Sequence, residues 1–306
     1  MRLVPVDPQL QPVLDLVNQP GMPAFGDLSP EETRALMASF AAPREDDGLA
    51  SVDDGEVAGV PVRWYRPHGA SEDAAFVWLH GGGWVIGSVA TSDATASKLA
   101  AASGVTVCSV DYRLAPEHPF PAAVDDCFAA LQWVGEHGAE IGGDPSRIAV
   151  CGDSAGGNLS TVTSILARDN GGPDVCFQAL IYPTTDARAD YPSVQENGDS
   201  IFLSADSMQW FYEHYQSDKL DWRASPILAE DLSNLPPALI ITAEYDTLRD
   251  EGEAYGEALR EAGNNVTVRR YDGMTHVFVQ LCGMLEDGRR AISEIAAALK
   301  VAYGTA

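Results

Sequence analysis

The sequence predicts an α/β fold, a mostly parallel central sheet flanked by helices on both faces. Three observations carry that expectation. Strand-like apolar segments recur near Phe76, Val107, Ala149, Leu180, Ile240 and Val268. Helical stretches over residues 91–102, 122–137 and 251–262 separate them, the alternation that builds a parallel sheet. The residues with the greatest chemical potential follow the strands, at the sheet edge where such folds bind ligands. A length of 306 residues with 45% hydrophobic side chains is enough for one large core with an appended cap.

Taken in chain order, residues 10–17 read as a first helix. Ser29-Pro30-Glu31-Glu32 is a capping-box start with proline at the first helical position, and Ala35 to Phe40 continue it. Two short strands between 49 and 66, broken over 53–59, read as an early hairpin. The alternating strands and helices follow. A second excursion from the sheet, residues 185–222, contains the aromatic-rich SADSMQWFYEHYQSD.

The segment RIAVCGDSAGGN, from Arg147 to Asn158, carries the main functional signal. Gly152-Asp153-Ser154-Ala155-Gly156 fits GxSxG, in which a serine is held on a sharp strand-to-helix turn with its hydroxyl above the sheet edge. Glycines two before and two after the serine approach each other too closely for a Cβ. The helix that follows places the Ala155 N–H and the positive end of its dipole behind Ser154. With 28 glycines in the chain, the pattern alone is also compatible with a glycine-rich turn, so other residues must decide.

LHGGGW, from Leu79 to Trp84, supplies the second signal. Consecutive glycines after a strand let backbone N–H groups face an incoming acyl group, and one donor aimed at a developing oxyanion contributes about 3 to 4 kcal/mol. The expected donors are Gly81, Gly82 and Ala155. A phosphate loop would need Lys-Ser/Thr or GxGxxG endings, which are missing here. His276, after the strand-like 266–271 and a turn over 272–275, is the expected base, and Asp246, at the end of the strand-like 238–243, its orienting carboxylate. The chain order Ser, Asp, His is that of an α/β-hydrolase.

On HGGGW at 80–84, DYRLAPEHPFPA at 111–122, GDSAGGN at 152–158, AEYDTLRDEG at 243–252 and DGMTH at 272–276, the chain resembles the hormone-sensitive-lipase-like family of bacterial α/β-hydrolase esterases. The resemblance implies an α/β-hydrolase fold with a helical cap, and hydrolysis of short to medium acyl carboxylic esters without metal or organic cofactor. It implies Ser154, Asp246 and His276 as the catalytic triad, with Gly81 and Gly82 in the oxyanion hole. The corresponding division is residues 1–45 and 185–222 as cap segments over a catalytic domain of 46–184 and 223–306. Thr247 stands where a proline often follows the aspartate, and Val277 where a glycine often follows the histidine. Some relatives dimerise, so a homodimer is among the expectations.

Several neighbours admit two readings. Asp153, Trp84, Tyr182, Met208 and Phe211 are candidate substrate-binding residues, and each is also explained as a turn carboxylate or as core packing. Glu244 is a secondary partner of the triad or a strand-end charge. His80 and residues 111–117 are expected to brace the glycine loop. Beyond esterases, a lipase, an amidase, an acyltransferase or a non-catalytic binding protein could share the fold.

The formal charge of −26, from 45 acidic against 19 basic residues, should repel nucleic acid and anionic membranes. Cysteines 108, 127, 151, 176 and 282 show no zinc-like or CxxC spacing, and their odd number suggests reduced thiols. MRLVPVDPQLQPVLDL has no uninterrupted apolar region or small-residue cleavage site, and no 18-residue apolar run occurs, so the expectation is a cytoplasmic protein without stable membrane association.

Overall fold

The computed structural model describes residues 6–17, 23, 27–41, 44, 48–70, 75–138, 147–200 and 202–305. Eight strands form one sheet: β1 (Leu49–Val57), β2 (Val60–Pro67), β3 (Ala75–Leu79), β4 (Thr106–Val110), β5 (Ile148–Asp153), β6 (Val175–Ile181), β7 (Ala238–Tyr245) and β8 (Val266–Thr275). Their order is β1-β2-β4-β3-β5-β6-β7-β8. The β1–β2 and β2–β4 pairs are antiparallel and all others parallel. This is the α/β-hydrolase architecture that the sequence predicts.

The central strands β3, β4 and β5 are buried throughout. Side-chain alternation divides them between two cores. Val77, Leu79, Val110 and Val150 pack on one face with α4 (Ala122–His137) and α5 (Ala155–Asn170). Phe76, Trp78, Val107 and Ala149 pack on the other with α3 (Asp93–Ser103) and α9 (Glu286–Tyr303). On the α5 side, α8 (Arg249–Glu261) covers Leu180 and Ile240 through Tyr255 and Leu259.

Helix α1 (Gln11–Val17) precedes α2 (Pro30–Ser39), where the predicted capping box forms: Ser29 Oγ accepts the Glu32 N–H, and the Glu32 carboxylate accepts the Ser29 N–H. Residues 185–222 hold α6 (Pro192–Glu196) and α7 (Ala205–Tyr215). Leu203, Trp210 and Tyr215 join the same core as Trp84 and Val85, so this excursion is welded to the sheet's helical layer.

Two boundaries differ from expectation. The hairpin turn is only Ala58-Gly59, both at positive φ, because Asp53 and Asp54 stay in the ladder: Asp54 meets Arg63 directly opposite at 2.6 Å, and Asp53, opposite Trp64, reaches Arg66 diagonally at 2.9 Å. Cross-strand charge pairing keeps an acidic run extended. Residues 272–275 are the end of β8 and not a turn: Tyr245 pairs with Thr275 after a register shift, and Gly273, at φ 78°, donates its N–H to Glu244 Oε2 at 2.7 Å. Parts of the expected cap segment 1–45 lie outside the described residues. Among the described residues no helix is long and apolar enough to cross a membrane, and none of the five cysteines is joined in a disulfide.

Candidate active site

Ser154 sits between β5 and α5 with φ 55° and ψ −118°, a strained conformation for a residue with a Cβ. Its main chain is gripped on both sides: the N–H donates to Ile181 O at 2.8 Å, and its carbonyl accepts from Asn158 and Thr184 N–H at 3.1 and 3.3 Å. The flanking glycines are required by space. A Cβ on Gly152 would strike the Gly156 main chain, and one on Gly156 would strike the Leu79 carbonyl.

His276 follows β8 and Asp246 follows β7, neighbouring parallel strands whose ends open at the same sheet edge as β5. The His276 Nδ1 lies 2.6 Å from Asp246 Oδ2, and Nε2 lies 3.0 Å from Ser154 Oγ. A carboxylate oxygen can only accept, so this pairing assigns the imidazole proton to Nδ1 and leaves Nε2 to accept from the serine hydroxyl. Tyr182 packs beside the ring, centroids 4.6 Å apart. Ser154 keeps 9% of its surface exposed, against 3% for His276 and none for Asp246. The hydroxyl is therefore the accessible end of this chain of contacts.

Asp246 is held in turn. Its Oδ1 accepts the Leu248 N–H at 2.9 Å and its carbonyl accepts from the Asn197 side chain at 3.1 Å. Thr247, at the position where proline is commoner, is buried and donates from Oγ1 to Leu203 O at 3.4 Å. It thereby ties the Asp246 loop to the segment preceding α7.

The glycine loop corrects one expectation. Gly81 N–H donates to Asp153 Oδ1 at 2.8 Å, so that donor is already engaged inside the protein. Gly82 and Gly83 follow at φ 120° and 56°, and neither their N–H groups nor that of Ala155 meet an acceptor among the described residues. Gly83, which the motif reading passed over, thus shares with Gly82 an N–H left without an acceptor among the described residues. As anticipated, the neighbourhood is braced from behind. His80 Nδ1–H donates to Gly81 O at 2.8 Å, its ring stacks on Tyr112 at 4.2 Å, and Tyr112 O–H donates to His80 O at 2.7 Å. The Ala115 N–H donates to Trp84 O at 2.9 Å.

The five candidate pocket residues separate by burial. Asp153, 1% exposed, accepts from Gly81 and from Gln280 Nε2, and burial pushes its carboxyl up to about 6. It joins loops and does not face a pocket. Trp84, 2% exposed, stacks on Tyr215 at 4.3 Å, and Tyr182 is wholly buried, so both are packing residues. Phe211 lies over the glycine loop, where a Cβ on Gly83 would run into its ring. Met208, one turn earlier on α7, lines a cleft of about 500 Å³ together with Val194, Gln209, Tyr212 and Lys219. Glu244 is the support of the Gly273 N–H already described and has no hydrogen bond to His276 or Asp246 among the described residues.

Gln280 and Glu251 were missed by the motif reading. Glu251 Oε1 accepts Thr185 and Asp186 N–H at 2.7 and 3.2 Å, fixing the chain that leaves β6 just beyond Tyr182. The AEYDTLRDEG segment contains it, but nothing in its spacing separates a buried acceptor from a helix-start charge. Among the described residues no group of His, Cys, Asp and Glu could hold a metal ion.

A family described as alpha/beta hydrolase fold matches residues 76–280. The chain is 42% identical to carboxylesterase NlhH of Mycobacterium tuberculosis over 96% of its own length and 95% of that protein's. It is 38% identical to the ethyl acetate hydrolase of Pseudomonas putida, over 88% of this chain and 87% of the other. The solved hyperthermophilic esterase of the archaeon Pyrobaculum calidifontis superposes with a TM-score of 0.90 at 42% identity, covering 97% of this chain and 99% of that one.

Proposed function

The chain belongs to the hormone-sensitive-lipase-like esterases of the α/β-hydrolase superfamily and is a carboxylic ester hydrolase, and from that premise we propose that Ser154, His276 and Asp246 perform the hydrolysis through an acyl-enzyme. The observation that carries this reading is the continuous contact from Asp246 Oδ2 through His276 to Ser154 Oγ, at 2.6 and 3.0 Å.

Each step uses a group already oriented. Ser154 Oγ attacks the ester carbonyl carbon as His276 Nε2 takes its proton, and Asp246 stabilises the imidazolium across Nδ1–H. The carbonyl oxygen becomes an oxyanion, met by the N–H groups of Gly82, Gly83 and Ala155, the last at the positive end of α5. Collapse breaks the C–O bond to the alcohol, which leaves with the proton from Nε2. Water then gives its proton to His276 and attacks the acyl-enzyme, and a second collapse returns Ser154 and releases the carboxylic acid.

Short to medium acyl esters are the substrates that this reading favours, the name of the Pseudomonas putida relative being consistent with the short end. Phe211 and Met208 are the α7 residues proposed to meet substrate, which makes residues 185–222 a cap, with residues 1–45 as its other segment. The charge of −26 favours small ester substrates over nucleic acid as partners.

A fluorophosphonate probe tests the assignment. It should label Ser154 covalently and abolish hydrolysis of p-nitrophenyl butyrate, and Ser154→Ala should prevent both. Labelling at another residue, or wild-type turnover by that variant, would overturn it.

A further inference from the structure

Asp153 accepts hydrogen bonds from two different loops. Gly81 N–H reaches Oδ1 at 2.8 Å from the glycine loop, and Gln280 Nε2 donates to Oδ2 from the segment beyond His276. We propose that Gln280 is a positioning residue for ester hydrolysis, tethering the His276-bearing segment to the end of β5 that carries Ser154. The inference rests on the reading of Ser154 and His276 given above.

The segment needs such a tether. β8 ends at Thr275 and α9 begins only at Glu286. Between them the backbone contacts of Leu281, Cys282 and Met284 are local, to Val277, Val279 and Leu281. Phe278, Val279 and Cys282 are buried and fix how deep the segment sits. Apolar burial is non-directional, however, and does not fix where a residue lies along the sheet edge. The Gln280 amide supplies a directional contact, made to a charged acceptor on the residue next to the nucleophile.

Backbone strain makes the same point. Val277 stands at φ 63°, the left-handed region that a β-branched residue enters only when its surroundings hold it there. It lies between His276, bound to Asp246 and Ser154, and Gln280, bound to Asp153. With both ends fastened to the β5–β7 edge, the strained residue keeps the imidazole in register with the hydroxyl. Asp153 is itself confined, since a Cβ on Gly81 would collide with its carboxylate. The same carboxylate therefore relates the glycine loop, the nucleophile strand and the histidine segment.

Gln280→Met preserves length and removes the donor. Its kcat for p-nitrophenyl butyrate should fall about tenfold or more, because a small displacement of the base is costly in the reaction step. KM should change by less than about twofold, since the tether does not contact substrate. The rate of fluorophosphonate labelling at Ser154 should fall in parallel. Gln280→Glu should lose activity at mildly alkaline pH by setting two carboxylates against each other. Adding Asp153→Asn should restore it, because the introduced amide donates to the introduced carboxylate while its oxygen still accepts from Gly81. Wild-type kcat in Gln280→Met, or a double variant no better than Gln280→Glu alone, would overturn the tether. Ser154→Ala measured alongside separates the two claims: turnover by that variant would remove the underlying assignment instead.

Discussion

His276 Nδ1 stands 2.6 Å from Asp246 Oδ2, at a depth where the histidine is 3% exposed and the aspartate not at all. Water does not compete for that bond. The Leu248 N–H holds the other carboxylate oxygen at 2.9 Å, so Asp246 cannot turn away from the ring.

Replacing that acceptor tests its role. Asp246→Asn can present an amide N–H to Nδ1, which favours the tautomer with its proton on Nε2, facing Ser154. Hydrolysis of p-nitrophenyl butyrate should then lose about 10³ to 10⁴ in kcat with a much smaller change in KM. Steady-state kinetics with a circular-dichroism check of folding decide the matter, and a loss below tenfold would count against an orienting role.

Glu251 offers a pH-dependent test of stability. Burial raises its carboxyl well above the ordinary range, while Oε1 accepts two N–H groups and Oε2 meets no partner among the described residues. Folding thus favours the protonated form, so the stability associated with that proton is present below the ordinary carboxyl value of 4.5 and is lost as pH rises above it. Glu251→Gln keeps an acceptor and removes the titration. Its Tm should gain on that of the wild type as pH is raised from about 5 to 8. Glu251→Ala, which leaves two buried N–H groups unpaired, should lose about 2–4 kcal/mol in urea unfolding.

Arg34 fastens α2 to the loops behind the glycine turn. Its Nε donates to Val85 O and its Nη2 to Ala115 O, each at 2.7 Å, and it forks onto Glu117 at 2.8 and 2.7 Å. Its hydrogen bonds hold the Glu117 carboxyl down at about 2. A depressed carboxyl contributes its full stability above its unfolded value of 4.5, and loses it progressively as pH falls from there through about 2. The ion pair is partly exposed and screened, so most of the effect resides in the two carbonyl contacts. Arg34→Ala should therefore lower stability by about 1–2 kcal/mol. Thermal scans should show a nearly constant deficit from mildly acidic to mildly alkaline pH.

Val277 tests the cost of strain. A side chain at positive φ costs about 1–2 kcal/mol, and glycine gives back about 0.5–1 kcal/mol of that through the entropy of the unfolded chain. Val277→Gly should be more stable by at most about 1.5 kcal/mol at equal urea m-value. A loss larger than about 1 kcal/mol would mean that the valine side chain contributes more by packing than its backbone loses.

Much of the fold is legible in the chain because the signals are short-range. Apolar runs such as those around Phe76 and over Ile148 to Cys151 announce strands buried on both faces, and Ser29 to Glu32 announces its own helix start. Boundaries shifted where a cross-strand partner intervened: Asp53 and Asp54 stayed in β1 because they pair with Arg66 and Arg63 of β2, the first diagonally and the second directly opposite, and residues 272–275 stayed in β8 because Thr275 pairs with Tyr245.

By itself the sequence determined the fold class, the elbow around Ser154 and a Ser, Asp, His order compatible with one site, since glycine placement and strand-end position are local properties. The tertiary structure alone decided which groups are free to act. Gly81 was expected to donate to substrate, yet Asp153 holds its N–H, leaving Gly82 and Gly83 with theirs unpaired. Trp84 and Tyr182 were pocket candidates until burial made them core, while Gln280 carried no motif and nevertheless meets Asp153. The physical reason is that hydrogen-bond occupancy and burial depend on which distant segments the packed sheet brings together, and no local pattern encodes that meeting.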